Sequence, residues 1–146
     1  MRTGVVLRLW GMGYHFVVLR RMMNLATGCW GHSTLLHELG HAFGLIHEHQ
    51  RPDRDQYISV LEDNVERGFL GMQVAVNFAP QEAQLQTAYD FTSIMHYDRK
   101  AFSANGLDTI VPKPAHARWI DIMGNADRLS QLDGQVVSAL YGKPTP

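Results

Sequence analysis

Three histidines, His37, His41 and His47, have the residue type and the spacing of ligands for one metal ion. On an α-helix, residues four apart differ by about 40° in azimuth and by about 6 Å along the axis. His37 and His41 therefore point the same way and can reach one tetrahedral zinc ion. Gly44 lets the chain leave the helix at a sharp angle, which brings His47 back as a third ligand. Three protein ligands leave one position for water, which is typical of a catalytic zinc site.

Glu38 follows the first of these histidines and lies beside the pair formed by His37 and His41, not directly between them. A carboxylate in that position can accept a proton from a water molecule next to the metal without binding the metal itself. Glu38 is therefore the candidate general base of a zinc-dependent hydrolysis.

The element that must position these residues is a helix, which we predict to be capped by Ser33 and Thr34, to run through about Phe43 and to stop at Gly44. At about 100° per residue its apolar side chains lie within an arc of roughly 120°, opposite the histidines. They are Leu35, Leu36, Leu39, Ala42 and Phe43. We expect this face to pack into the core while the histidine face forms the floor of a cleft.

The rest of the chain predicts short elements separated by turns. In chain order we expect a turn at Arg51–Asp55, a strand at Tyr57–Leu61, a helix near Gln81–Gln86, a strand at Thr109–Val111 and a loop at Pro112–Asp127. A last helix begins at the cap Ser130 and ends by Gly142. Its apolar face carries Leu132, Val136, Val137 and Leu140.

Length and composition limit the alternatives. The 146 residues suit one domain, and 45% hydrophobic with 18% charged residues is typical of a soluble globular protein. Thirteen basic residues nearly balance fourteen acidic ones, so no charge excess favours nucleic acid or an anionic membrane. No apolar run reaches the roughly 18 residues that a transmembrane helix needs.

The N-terminal segment is less informative. The apolar stretch Leu9–Leu19 precedes Ala26–Cys29, a loose likeness to a signal peptide before a lipid-modified cysteine, but Arg20, Arg21 and Asn24 interrupt it. We therefore predict no convincing signal peptide. Cys29 is the only cysteine, so it cannot form a disulfide within the chain.

Two segments carry a resemblance to a known family. The run His47–Asp55 closely resembles the astacin signature, in which glutamate follows the third histidine and an Arg-x-Asp-Arg-Asp string comes next. The run Ser93–Tyr97 is similar to the astacin Met-turn. The likeness covers about residues 23–142, which predicts an astacin-like metallopeptidase domain at 23–146 and leaves 1–22 unassigned.

The resemblance implies an α+β, metzincin-like fold, with an active-site helix and a mostly helical, loop-rich C-terminal half. It implies one zinc ion per chain, held by His37, His41 and His47, with Glu38 as general base. Tyr97 would be a further, displaceable ligand that moves to the oxyanion during turnover, and Met95 would lie beneath the metal without binding it. The expected activity is that of a secreted zinc metalloendopeptidase hydrolysing internal bonds of proteins or peptides.

The sequence also departs from the family pattern. The N-terminal sheet that forms the upper wall of the cleft is expected to be largely missing or divergent, the usual disulfides are missing, and the role of Glu48 stays open. Two other interpretations therefore remain: an inactive module that still holds zinc, and a domain with a purely structural zinc. By the same resemblance Arg118 and Arg128 would border the pocket for the residue after the cut, where their charge would favour acidic residues.

Overall fold

The computed structural model describes residues 31–68 and 76–142. Within these ranges helices α1 (His32–Ala42) and α2 (Gln131–Tyr141) flank two short strands, β1 (Ile58–Val60) and β2 (Ile110–Pro112). Short 3-10 helices lie between them, at Glu48–Gln50, Arg54–Gln56, Glu62–Asn64 and Pro114–Trp119. Residues 76–78 are also helical. The predictions for Leu9–Leu19 and for Cys29 lie outside the described residues.

Helix α1 forms where the histidine spacing predicts it, but its N-terminus differs from the prediction. Gly31 is the N-cap and no side chain caps it, so the predicted capping by Ser33 and Thr34 is wrong, because both residues already lie inside the first turn. The C-terminus follows the prediction. Gly44 has φ of 91°, a conformation that L side chains rarely adopt.

The α1 C-terminus is closed by two backbone hydrogen bonds. Gly44 donates its N–H to the His41 carbonyl and Leu45 donates to the Gly40 carbonyl, both at 3.0 Å. This is the Schellman pattern, which satisfies carbonyls that the helix leaves unpaired. The reversal fixes the direction in which the chain leaves α1 towards His47.

The two strands pair antiparallel, with Ile58 opposite Pro112, Ser59 opposite Val111 and Val60 opposite Ile110. Both lie where the sequence predicts them, β2 one residue later than expected. The predicted loop at Pro112–Asp127 contains the 3-10 helix Pro114–Trp119, which begins at a proline because the fixed φ of proline suits a first helical turn.

The helix predicted near Gln81–Gln86 is wrong, because these residues have no regular structure. The backbone N–H of Gln81 donates to the Gln50 carbonyl at 2.7 Å. The carbonyls of Thr87 and Ala88 accept from the Arg51 guanidinium at 3.0 Å. Backbone groups at or just beyond both ends of this segment thus bond to residues after the third histidine. Local helix propensity is a weak guide, which tertiary context often overrides.

Two buried clusters form the core. The larger surrounds the sheet and joins Ile58, Val65, Phe78, Tyr89, Phe91, Ile110 and Met123. The smaller joins Leu45, Ile94 and Met95, against which Leu36 of α1 and Val136 and Val137 of α2 pack.

The apolar face of α1 is only partly buried. Leu36 contacts the smaller cluster, but Leu35 is 37% exposed and Phe43 47% exposed. The prediction that this whole face packs into the core is therefore wrong, because the smaller cluster contacts the helix along one side only.

Helix α2 begins as predicted. The Ser130 hydroxyl accepts from the backbone of Asp133 and the Asp133 carboxylate accepts from the backbone of Ser130, which is a capping box. Gly142, at φ of 80°, ends the helix. Among the described residues, no helix combines the length and the apolarity that crossing a bilayer requires.

Candidate metal centre

The side chains of His37, His41 and His47 converge on one point. The Nε2 atoms of His37 and His47 are 3.2 Å apart and those of His41 and His47 are 3.1 Å apart. Nitrogen ligands at about 2.0–2.1 Å from a tetrahedral zinc ion lie about 3.3 Å from each other. The separations therefore match a shared zinc ion.

The hydrogen bonds of the other ring nitrogen, Nδ1, fix the tautomer of each histidine. Nδ1 of His37 bonds to the Ile94 carbonyl at 2.7 Å and Nδ1 of His41 to the Leu45 carbonyl at 3.0 Å. A carbonyl oxygen only accepts, so both Nδ1 atoms carry the proton and both Nε2 atoms present a lone pair. His47 has the same arrangement, with its Nδ1 donating to the Gln50 side-chain oxygen at 2.9 Å.

This arrangement fits a cation. Three lone pairs would face one another within 4.8 Å, which is unfavourable unless a positive charge lies between them. Burial lowers the pKa of His41, and burial together with the neighbouring His41 lowers the pKa of His47 to about 3. Both rings are therefore neutral at physiological pH, which is the form that binds metal.

Glu38 and Tyr97 are the other two predicted site residues. Glu38, on α1, is 7% exposed. The Tyr97 ring lies 4.6 Å from the His47 ring and stacks on His49 at 4.0 Å, measured between ring centroids. Burial and the nearby Glu38 raise the pKa of Tyr97 to about 12, so its hydroxyl keeps its proton at neutral pH.

The segment before Tyr97 packs beneath α1. Met95 is 1% exposed, and a Cβ added to Gly40 would lie 2.6 Å from its sulfur. Helix α2 holds this segment in place. The Asp133 carboxylate accepts from the Ser93 hydroxyl at 2.6 Å and from the Ile94 backbone N–H at 3.1 Å. Asp133, which belongs to the capping box of α2, therefore also holds the residue whose carbonyl bonds to His37 Nδ1.

The charged residues after His47 hold loops together. Arg51 makes a bidentate ion pair with Asp53, both bonds being 2.9 Å, and donates to Glu48 at 2.9 Å. Glu48 also accepts from the Asp90 backbone at 2.7 Å. Burial raises the pKa of Glu48 to about 7, against the opposing charge of Arg51. The Arg54 guanidinium donates to the carbonyls of His49 and Phe78.

Sequence analysis did not identify the structural roles of Gln50, Arg51 or Asp133. Three spacings could have indicated them. Gln50 lies three residues after the third histidine of the predicted metal site, Arg51 lies two residues before an aspartate, and Asp133 lies three residues after a capping serine.

A pocket of about 290 Å³ opens beside His37 and Tyr97. Its other lining residues are Ser33, Thr34, Ile94, His96, Asp98, Gly124 and Ala126. Arg118 and Arg128 are not among them. Arg118 lies over the Trp119 ring and Arg128 pairs with Asp127, so the structure offers no support for a preference for acidic residues at this pocket.

Comparisons with known proteins agree with this geometry. The family model described as Astacin (Peptidase family M12A) matches residues 17–142. The chain is 37% identical over 127 residues to the zinc metalloproteinase nas-8 of Steinernema carpocapsae, covering 87% of this chain and 30% of that protein. It is 36% identical over 124 residues to nas-7 of Caenorhabditis elegans, covering 85% and 31%.

A solved structure of a zinc-protease has a similar fold. High choriolytic enzyme 1, a hatching enzyme zinc-protease from the medaka fish Oryzias latipes, superposes with a TM-score of 0.59 at 35% sequence identity. The match covers 75% of this chain and 52% of that one. The chain thus spans about a third of the length of the nematode relatives named above and about half of the solved structure. The domain boundary expected at residue 23 stays a prediction.

Proposed function

The chain belongs to the astacin family, peptidase family M12A, and on that premise we propose that it is a zinc-dependent metalloendopeptidase hydrolysing internal peptide bonds of proteins or peptides. The observation that carries the proposal is the convergence of the three Nε2 atoms on one point. In each ring the other nitrogen, Nδ1, donates its proton to an oxygen of the protein. Metal-ligating histidines in proteins almost always have such a second partner.

We propose that His37, His41 and His47 hold one zinc ion per chain. A zinc ion bound there supplies Lewis acidity, since it polarises a carbonyl and lowers the pKa of water towards about 7. All three histidines are half-buried, which leaves the metal position accessible to a substrate.

In the proposed reaction Glu38 is the general base. Its carboxylate accepts the proton of the attacking water and passes it to the leaving amine, a role that typically contributes 10²–10⁴-fold. The supporting observation is that Glu38 is buried on the same helix as His37 and His41 and acts electrostatically on Tyr97.

Tyr97 has the second proposed catalytic role. Its protonated hydroxyl donates a hydrogen bond to the oxygen that gains negative charge, and it is a displaceable further ligand when no substrate is bound. The supporting observation is the position of its ring against the His47 ring. Donors that act on developing charge often contribute 10²–10³-fold.

Two measurements on the purified protein separate this proposal from its alternatives: zinc content and cleavage of an unstructured protein such as casein. We expect close to one zinc ion per chain together with cleavage, and loss of both in His41→Ala. Zinc without cleavage would favour the inactive module. Full zinc occupancy in His41→Ala would contradict the ligand assignment.

By the same family resemblance we propose an extracellular location. Fractionation of the natural source into cells and medium tests it, and recovery from the cytosol alone would contradict it.

A further inference from the structure

Gln50 is buried three residues beyond the third histidine, with 2% of its surface exposed. His47 is the N-cap of the 3-10 helix Glu48–Gln50. Because a 3-10 helix has 3.0 residues per turn, side chains three apart lie directly above one another. The Gln50 amide is therefore placed beside the His47 ring.

Every hydrogen-bonding position of this amide is used. Its nitrogen donates to the carbonyls of Val76 at 3.1 Å and Ala79 at 3.2 Å. Its oxygen accepts from His47 Nδ1 at 2.9 Å and from the Gln81 amide at 3.0 Å. A primary amide has two donors and two lone pairs, so none is left over.

The two carbonyls decide which way the amide points. Carbonyls cannot donate, so the amide nitrogen must face Val76 and Ala79 and the oxygen must face His47. His47 Nδ1 then has to be the protonated nitrogen. The lone pair is left on Nε2, on the side where His37 and His41 converge.

His47 differs from the other two histidines in this respect. His37 and His41 bond to backbone carbonyls, whose positions are set by the fold. His47 depends on the Gln50 side chain, and the Gln50 amide in turn depends on the carbonyls of Val76 and Ala79.

We propose that Gln50 is a positioning residue for the metal site, which fixes the tautomer and the ring orientation of His47 and thereby couples zinc affinity to the segment at 76–81. This inference rests on the proposed zinc site. Second partners of this kind typically change metal affinity by about 10–100-fold when they are removed.

The first test measures zinc affinity by competition with a chromophoric chelator. Gln50→Met, similar in length but without the amide, should bind zinc about 10–100-fold more weakly than the unchanged protein. Gln50→Glu keeps an acceptor for His47 but loses the donor to the two carbonyls. Its zinc affinity should therefore stay within about tenfold of that of the unchanged protein. Gln81→Met, which removes only the other donor to the same oxygen, is the control and should change affinity by less than about threefold.

The pair of Gln50 variants separates positioning of His47 from anchoring of the segment at 76–81. If Gln50 only anchored that segment, Gln50→Glu would be the weaker binder, because a carboxylate facing two carbonyls is repelled. That order of affinities, or an unchanged affinity in Gln50→Met, would overturn the inference. If the protein without any substitution bound no zinc, the proposed function itself would be overturned.

A second measurement needs no variant. In unaltered protein labelled with nitrogen-15 at histidine and loaded with cadmium-113, NMR should show a slowly exchanging proton on His47 Nδ1 and metal coupling to Nε2. Metal coupling to Nδ1, or a His47 Nδ1 proton that exchanges as fast as that of an exposed histidine, would overturn the inference even if Gln50→Met did not fold.

Discussion

At the scale of single residues, the proposed mechanism separates groups that would hold a metal from groups that would act on a substrate. The three histidine rings point their Nε2 atoms at one another, while Glu38 is buried on the same helix as His37 and His41 and the Tyr97 ring lies against His47. Metal binding alone does not require a buried carboxylate or a phenol at these positions. Substitutions of Glu38 and Tyr97 should therefore affect turnover without affecting zinc content.

Replacing Glu38 with Gln tests the general base. The amide has the same shape but cannot accept the proton, so Glu38→Gln should retain zinc and the folded structure and lose about 10²–10⁴-fold in kcat. Steady-state kinetics together with zinc analysis on the same sample measures both. Activity within about tenfold of the unchanged enzyme would mean that another group is the base.

Replacing Tyr97 with Phe tests the oxyanion donor. Zinc should remain bound because three imidazoles remain, and the loss should appear in kcat more than in KM, since the hydrogen bond strengthens as charge develops. A single donor of this kind typically contributes 10²–10³-fold, and the lower end is expected where zinc shares the charge. Unchanged kcat in Tyr97→Phe would mean that the ring only packs against His47 and His49.

At the scale of elements, the reversal after α1 determines where the third histidine lies. The left-handed conformation of Gly44 closes the Schellman pattern and directs the chain back across the end of the helix. The 3-10 helix Glu48–Gln50 then places Gln50 beside His47. Helix α2 contributes from the other side, because Asp133 fixes the segment whose carbonyl bonds to His37.

Replacing Gly44 with Ala tests the importance of this reversal. A side chain in the left-handed region costs about 1–2 kcal/mol, so Gly44→Ala should lower the free energy of unfolding by that amount and also weaken zinc binding. Gly106 provides a matched control, because its φ is 80° and an added Cβ would meet nothing within 4 Å. Gly106→Ala should carry a similar cost in stability with unchanged zinc affinity. Equal zinc affinity in both variants would contradict the positioning role of Gly44.

At the scale of the whole molecule, burial of several histidines makes stability depend on pH. Burial lowers the pKa of His41, His47, His49 and His96, to about 3 for His47 and about 4 for His96. Below the unfolded value of about 6.5 the unfolded chain binds more protons than the folded one, so stability falls as pH falls. Glu48, whose pKa is raised to about 7, has the opposite effect, but it is one group against four.

The zinc-free protein should therefore lose thermal stability between pH 7 and pH 5. Each histidine contributes at most about 1.4 kcal/mol per pH unit within its window. Thermal unfolding of chelator-treated protein at pH 7, 6 and 5 measures the effect, and a constant or rising Tm towards pH 5 would contradict it. The zinc-loaded protein should show a higher Tm at pH 7, because bound metal stabilises only the folded state.

The sequence alone determined the parts of this protein that rest on local geometry. Helix spacing predicts that His37 and His41 share a face, Gly44 predicts the break, and Ser130 predicts the start of α2, because each depends on residues within a few positions in the chain. The astacin signature identified the family for the same reason, since its string of residues is contiguous.

Only the tertiary structure decided the features that join distant segments. The helix predicted near Gln81–Gln86 does not form, and backbone groups at 81, 87 and 88 bond to Gln50 and Arg51. The exposure of Leu35 and Phe43 depends on which faces of α1 pack against other parts of the chain. The tautomer of each histidine is set by an acceptor that helical spacing does not identify, and for His37 that acceptor lies 57 residues away. Hydrogen bonds between distant segments depend on how the chain packs, so the sequence pattern could not supply them.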